Sequence, residues 1–245
     1  MKREEFSVDC SACPIRHKAV CSRCEPDELD ELERIKFYKF YPAGQTVAIR
    51  GEPLETVASV VGGVATLTRS MEDGRTQLVG LLLPSDFIGR PGRTAIEYDV
   101  TAVTDLTLCC FNRKPFEDLL VRFPHVRERL LEMALDELDA ARDWMLLLGR
   151  KTARERIASL IALIVKRSTR PDGSVMGTGT RIELPITRET MANYLGLTIE
   201  TVSRQLTKLR ADGIIELDGK RGIIIPDLGG LLAETGDDDD GGMIF

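Results

Sequence analysis

The sequence predicts an α+β chain with three structured parts: an N-terminal β-roll, a long helix and a C-terminal winged helix-turn-helix. Three observations predict it. Short β-branched runs separated by turn residues recur between residues 37 and 110. An unbroken helical stretch follows Pro124. A helix-turn-helix pattern followed by a basic hairpin lies near the end of the chain. The implied boundaries are a Cys-rich segment at 1–25, the roll at 26–123, the helix at 124–150, the winged helix-turn-helix at 151–235 and an acidic tail at 236–245.

Residues 28–36 (ELDELERIK) read as one short helix. The roll's runs are 46–49, 56–61, 64–68, 77–82, 100–103 and 106–111. Turn signals at Pro42-Ala43-Gly44, Gly62-Gly63, Asp73-Gly74 and Pro84-Ser85-Asp86 break them. Many short strands at regular spacing indicate a small barrel or roll. Asp73-Gly74 marks a hairpin, because glycine tolerates the positive φ of tight turns.

Pro124 suits the first turn of a helix, and neither Pro nor Gly recurs before Gly149. Ala134, Leu138, Ala141, Met145 and Leu148 follow +4, +3, +4, +3 spacing, the seam of a helix pair. Leu131, Met133 and Leu135 form a second stripe, expected to face the chain's own roll. Two stripes imply two partners, the home domain and a second copy. Residues 152–166 make a further helix, 168–181 a Gly-, Pro- and Ser-containing loop, and 183–185 a short strand.

Thr187 is placed to cap a first short helix through Leu195, Gly196 permits the turn, and Thr198 caps a second helix. On that helix Glu200, Ser203, Arg204 and Lys208 share one face, while Val202, Leu206 and Leu209 point inward. Arg can fork onto guanine and Glu can accept from cytosine. Lys208 is better suited to phosphates, as are Lys220 and Arg221 at the tip of the hairpin formed by 214–217 and 222–225. The net charge of −6 is unevenly spread: residues 151–233 carry 13 Lys and Arg against 9 Asp and Glu. The expected partner is double-stranded DNA.

No apolar run is long enough to cross a membrane, and residues 1–9 show no secretory pattern, so a cytoplasmic protein is expected. Thiols are reduced there, which makes clustered cysteines metal ligands rather than disulfides. Cys10, Cys13, Cys21 and Cys24 are spaced x2, x7, x2, and Cys109 and Cys110 lie far downstream. Four thiolates can hold structural zinc. Three can also join a distant fourth at an iron–sulfur cluster. Spacing alone leaves both open. His17 and His125 read as surface residues. Neither a nucleophile–base constellation nor a Gly-rich phosphate loop is present, so an enzyme is not expected.

The chain to about residue 235 resembles the CRP/FNR superfamily of transcription regulators. It is most similar to the FNR branch and, within it, to the FnrL-type regulators of alphaproteobacteria. The resemblance is carried by Leu195-Gly196-Leu197-Thr198-Ile199-Glu200-Thr201-Val202-Ser203-Arg204, by Pro84-Ser85-Asp86-Phe87-Ile88-Gly89 and by Trp144-Met145-Leu146-Leu147-Leu148. It implies a cyclic-nucleotide-binding-like jelly roll and a homodimer joined by the long helix. It also implies an activator that works with RNA polymerase, controls genes of anaerobic or low-oxygen metabolism, and reads an inverted repeat with a TTGAT-like half-site. It further implies an oxygen-labile 4Fe–4S cluster held by Cys10, Cys13, Cys21 and Cys109, with Cys24 and Cys110 as alternates. The alternative is a zinc-stabilised regulator or interaction module without such a cluster. Tyr98-Asp99 stands where cyclic-AMP receptors of the superfamily place an Arg-Ser pair, so no cyclic nucleotide is expected.

Overall fold

The structure is a computed structural model that describes residues 8–167, 179–219 and 221–237. The chain divides into two compact units, Met1–Met133 and Ala134–Phe245.

The first unit opens with a 3-10 turn, Cys10–Ala12, capped by the Asp9 carboxylate, which accepts the Ser11 amide. Helix α1 (Pro26–Ile35) starts as its residues dictate. Pro26 supplies the fixed φ of a first turn, and Glu25 and Glu28 form a reciprocal capping box. Two antiparallel four-stranded sheets follow. One is ordered β1 (Lys36–Tyr41), β8 (Leu106–Asn112), β3 (Thr56–Gly62), β6 (Phe87–Ile88). The other is ordered β2 (Thr46–Ala48), β7 (Asp99–Ala102), β4 (Ala65–Ser70), β5 (Thr76–Leu82). The Asp73-Gly74 hairpin joins β4 to β5, with Gly74 at φ 85°.

Side chains alternate between the two faces of a strand, and that parity separates two cores. Ala58, Val60, Leu108 and Cys110 fill the inside of the roll with Ala65, Leu82, Val100 and Ala102. Val57, Val61, Cys109 and Phe111 face the other way. There they meet Cys10, Ile15, Ala19, Val20 and Cys24 of the N-terminal segment, Leu29 and Leu32 of α1, and Phe116, Leu119 and Leu120 of α2 (Arg113–Arg122). A buried Ile such as Ile15, 4% exposed, contributes ~1.5–3 kcal/mol, so the segment is held to the sheet by apolar packing as well as by polar contacts.

Helix α3 (Pro124–Arg150) completes this second core with Val126, Leu130 and Met133. The stripe expected to face the roll is therefore corrected. Met133 does so, but Leu131 and Leu135 are 61% and 52% exposed. Leu131 sits one residue, about 100° of helix rotation, from Leu130, and packing selects 126, 130 and 133, at +4 and +3.

In the second unit, α4 (Ala153–Arg167) buries Ile157, Leu160, Ile161, Ile164 and Val165. Strand β9 is Thr180–Glu183, not the expected 183–185: Ile182 and Thr180 turn inward and pair with β11, and Pro185 has no N–H for a ladder. The expected 168–181 loop thus ends inside a strand, and residues 168–178 lie outside the described residues. Helices α5 (Arg188–Leu195) and α6 (Ile199–Ala211) are followed by the β10 (Glu216–Asp218) and β11 (Gly222–Ile225) hairpin, with β9 beside β11. A short α7 (Leu228–Ala233) ends the unit. The acidic tail begins in contact with the fold, since Asp237 pairs with the half-buried Lys151 at 2.5 Å. Residues 238–245 lie outside the described residues.

Candidate metal centre and nucleic-acid interface

The cysteines divide according to strand parity. Cys109 and Cys110 are neighbours on β8 and so point to opposite faces. Cys110 is sealed inside the roll, its Sγ 3.8 Å from the Leu108 carbonyl. Cys109, 8% exposed, faces the N-terminal segment and shares a core with Cys10 and Cys24, against which Cys13 and Cys21 also pack. All six cysteines are free thiols.

Electrostatics sorts the five further. Burial, then the neighbouring Cys10, Cys13 and Cys21, raises the Cys109 thiol well above its ordinary range. Cys24 is absent from that set. Its own thiol is pushed up to about 12 by burial, then by Cys21 and Glu28. Cys10 is also pushed up to about 12, by burial and by the Glu33 carboxylate. Cys10, Cys13 and Cys21 are thus the thiols whose charge acts most on Cys109, and Cys24 shares its apolar core. Among the described residues, no three Cys, His, Asp or Glu side chains converge closely enough to hold a single ion. Protonated thiols must lose their protons to bind a metal, so loading here would release protons.

Polar groups fix this centre. Glu33 Oε2 accepts the Cys10 amide at 2.7 Å and the Lys36 ammonium at 2.7 Å. Lys36, its side chain 6% exposed, also donates to the Val8 carbonyl and lies 3.5 Å from Cys10 Sγ. Burial would lower the Lys36 pKa, but Glu33 and Cys10 carry it above its ordinary range. Tyr38 and Ser59 stand directly opposite Cys109 on β1 and β3. Tyr38 donates to the Val8 carbonyl. The Ser59 hydroxyl is buried and has no hydrogen-bond partner among the described residues. The Cys-rich segment is tied to α3 at two points: Arg129 donates to the Lys18 carbonyl, between Cys13 and Cys21, at 2.8 Å, and Glu132 pairs with Arg23, just after Cys21, at 2.6 Å. His17 is exposed. His125 pairs with the buried Glu28 at 3.2 Å, the carboxylate that also acts on Cys24.

The helix-turn-helix is built by its caps. Thr187 accepts from the Thr190 amide, Gly196 turns the chain at φ 62°, and Thr198 accepts from the Thr201 amide. Val202, Leu206 and Leu209 are buried. Glu200, Arg204 and Lys208 are exposed and Ser203 is half-buried. Arg204 donates to Thr201 Oγ1 at 3.4 Å, and no ion pair joins it to Glu200 among the described residues. Glu200 is held below its usual carboxylate range by backbone and Thr198 hydrogen bonds. Arg221 is exposed at the wing, and Lys220 lies outside the described residues.

Sequence reasoning missed Arg188, whose guanidinium donates to Ser203 Oγ at 3.3 Å on the recognition face. The available signal was a cation in the first turn of α5, where the helix dipole disfavours one. It also missed Arg156, which donates to the carbonyls of Leu148, Lys151 and Leu195 at 2.7, 3.0 and 2.9 Å. With Trp144 stacked on Tyr194 at 3.8 Å, Arg156 fixes the end of α3 against the helix-turn-helix.

Residues 155–234 match the Crp-like helix-turn-helix domain family and residues 38–123 the cyclic nucleotide-binding domain family. The chain is 61% identical over 234 residues to the transcriptional activator protein FnrL of Cereibacter sphaeroides, covering 96% of this chain and 94% of that one. It is 36% identical over 208 residues to the nitrogen fixation regulation protein FixK of Bradyrhizobium diazoefficiens, covering 85% and 86% of the two chains. The solved structure of FixK2 from Bradyrhizobium japonicum superposes with a TM-score of 0.75 at 30% identity, over 83% of this chain and 99% of that one. With a jelly roll, a long helix and a winged helix-turn-helix in this order, and with these relatives, the chain belongs to the CRP/FNR superfamily of DNA-binding transcription regulators and is a regulator of the FNR/FixK type, not an enzyme.

Proposed function

We propose that the chain is an oxygen-responsive activator of genes for low-oxygen metabolism, working as a homodimer while a 4Fe–4S cluster is intact. One observation carries this reading. A buried thiol of the roll, Cys109, shares one core with Cys10 of a separate segment, and Cys13 and Cys21 of that segment pack against it. A four-iron cluster takes one thiolate at each iron, a wider arrangement than a single zinc ion requires. Thiolates are the soft donors such irons prefer. The orphaned Ser59 hydroxyl beside Cys109 adds a polar group awaiting an acceptor.

When bound, the cluster would supply an oxygen-labile bond between segment and roll. The residues do the rest. Cys10, Cys13 and Cys21 hold the segment to Cys109. Arg129 and Glu132 pass its position to α3 through Lys18 and Arg23. The seam begins immediately after, with Leu131, Leu138 and Met145 seven residues apart and exposed in the single chain, beside Ala134, Ala141 and the half-buried Leu148. A second copy burying that stripe would place two α6 helices on successive major grooves, ~34 Å apart. RNA polymerase is then the partner of the DNA-bound dimer. Asp99, where a cyclic phosphate would be held in cyclic-AMP receptors, presents a carboxylate that accepts the Arg50 amide, which argues against a cyclic nucleotide.

The test is purification under nitrogen, with iron and sulfide measured per chain, followed by binding to an inverted-repeat site before and after exposure to air. Brown protein with iron and sulfide in equal amounts, and DNA binding that air abolishes, is expected. Colourless protein whose binding ignores air would overturn the proposal.

A further inference from the structure

We infer that the Ser59 hydroxyl is the hydrogen-bond donor to the sulfur of Cys109 when that sulfur is a cluster ligand, an inference that rests on the reading above. Ser59 is 2% exposed, and its Oγ has no partner among the described residues. Three other buried hydroxyls find one: Thr66 donates to the Thr101 carbonyl, Ser159 takes the Lys151 ammonium and Thr235 donates to the Leu232 carbonyl. A polar atom left unpaired in a core is uncommon and calls for a reason.

Register supplies the reason. Ser59 on β3 is paired directly with Cys109 on β8, so both side chains leave the same face of the sheet. Their neighbours agree. Val57 and Phe111, the next pair on that face, belong to the core that contains Cys10, Cys24 and Cys109. The hydroxyl therefore opens onto the thiols and not into the roll.

The chemistry of the acceptor changes with occupancy. A thiol sulfur is a weak acceptor, so in the metal-free chain the hydroxyl gains little from Cys109. A metal-bound thiolate carries negative charge, and hydrogen bonds to charged acceptors are roughly twice as strong as neutral ones. Such bonds to ligand sulfur are a known lever on cluster potential and stability. A donor here stabilises the more negative, reduced state and so raises the potential. Ser59 is thus a positioning residue for the fourth ligand: it makes no bond to iron and acts through the sulfur.

Ser59→Ala separates this role from a structural one, because its effects have opposite signs in the two forms. In the metal-free protein it removes an unsatisfied buried group, and the melting temperature of the roll should rise by ~2–4 °C. In the iron-loaded protein under nitrogen, retention of iron against a chelator should fall ~10-fold, and the reduction potential should drop. Ser59→Thr, which keeps the hydroxyl, should restore potential and retention. Iron-loaded Ser59→Ala with wild-type potential and retention overturns the inference and leaves the cluster reading intact. So does a metal-free Ser59→Ala that melts below wild type, since the hydroxyl would then be satisfied within the fold. Wild-type protein that takes up no iron and sulfide overturns the cluster reading and this inference with it.

Discussion

Arg129 on α3 donates to the backbone carbonyl of Lys18 at 2.8 Å, in the loop between Cys13 and Cys21. The contact lies two residues before the exposed stripe of α3 begins at Leu131. Arg129→Ala should leave all four proposed ligands in place and iron uptake unchanged. It should loosen the loop: Lys18 is exposed and water can replace the guanidinium, so the loss is ~1 kcal/mol, roughly fivefold faster amide exchange across residues 14–23. Hydrogen exchange with wild-type protection in that loop would show that Arg129 is not the tie.

Ligand replacement should follow strand parity. Cys10→Ser, Cys13→Ser, Cys21→Ser and Cys109→Ser should each lose iron under nitrogen, because a hydroxyl is a poor substitute for a thiolate at iron. Cys110→Ser should keep it, as that side chain points into the roll. Cys24→Ser should keep it too, since Cys24 is the spare thiol of the segment in the proposed ligand set and packs as a buried apolar side chain in the core beside Cys109. Iron analysis of the six variants decides. A Cys24→Ser protein without iron and a Cys21→Ser protein with it would exchange the third ligand.

The seam predicts two variants with different signatures. Leu138 is 45% exposed in the single chain. If a second copy covers it, Leu138→Ala should weaken the dimer by up to ~2–5 kcal/mol per site. Leu131→Ser should weaken the dimer as well, yet leave the melting of the roll unchanged, because Leu131 faces away from its core. Sedimentation and thermal melts together check both. A Leu131→Ser protein that melts early but dimerises normally would return Leu131 to the roll.

How far the sequence was legible depended on how many side chains carried the same signal. The caps at Thr187 and Thr198 and the left-handed Gly196 are local chemistry, and they appear where the residues place them. The Cys109 and Cys110 pair needs only strand parity. Strand β1 escaped notice because KFYKFY repeats every third residue, which matches neither a strand nor a helix period, and because it is an edge strand. The inward stripe of α3 was misassigned since Leu131, Met133 and Leu135 are as apolar as Val126 and Leu130, and only the packed sheet distinguishes them. Ser59 was detectable in principle, as the one hydroxyl inside the apolar run of β3. Its missing partner is a property of the fold alone.

The recognition face predicts two kinds of loss at the DNA. Arg204 is exposed near the N-terminal end of α6 and is not engaged by Glu200 in an ion pair, so its guanidinium can fork onto a guanine. Arg204→Ala should cost ~1–3 kcal/mol per half-site and relax the preference at one G·C pair of a TTGAT-like half-site. Arg221 sits at the wing, beside the turn at Gly219, where a phosphate is the nearer target. Arg221→Ala should weaken every sequence alike and reduce the salt slope by about one unit per site. Arg188→Ala should fall between the two, because Arg188 supports Ser203 at 3.3 Å and so orients a base-reading hydroxyl. Binding-site selection and salt titrations on the three variants separate the cases. If Arg204→Ala selects the wild-type motif while Arg221→Ala alters it, the wing reads the bases and the assignment of α6 as the reading helix fails.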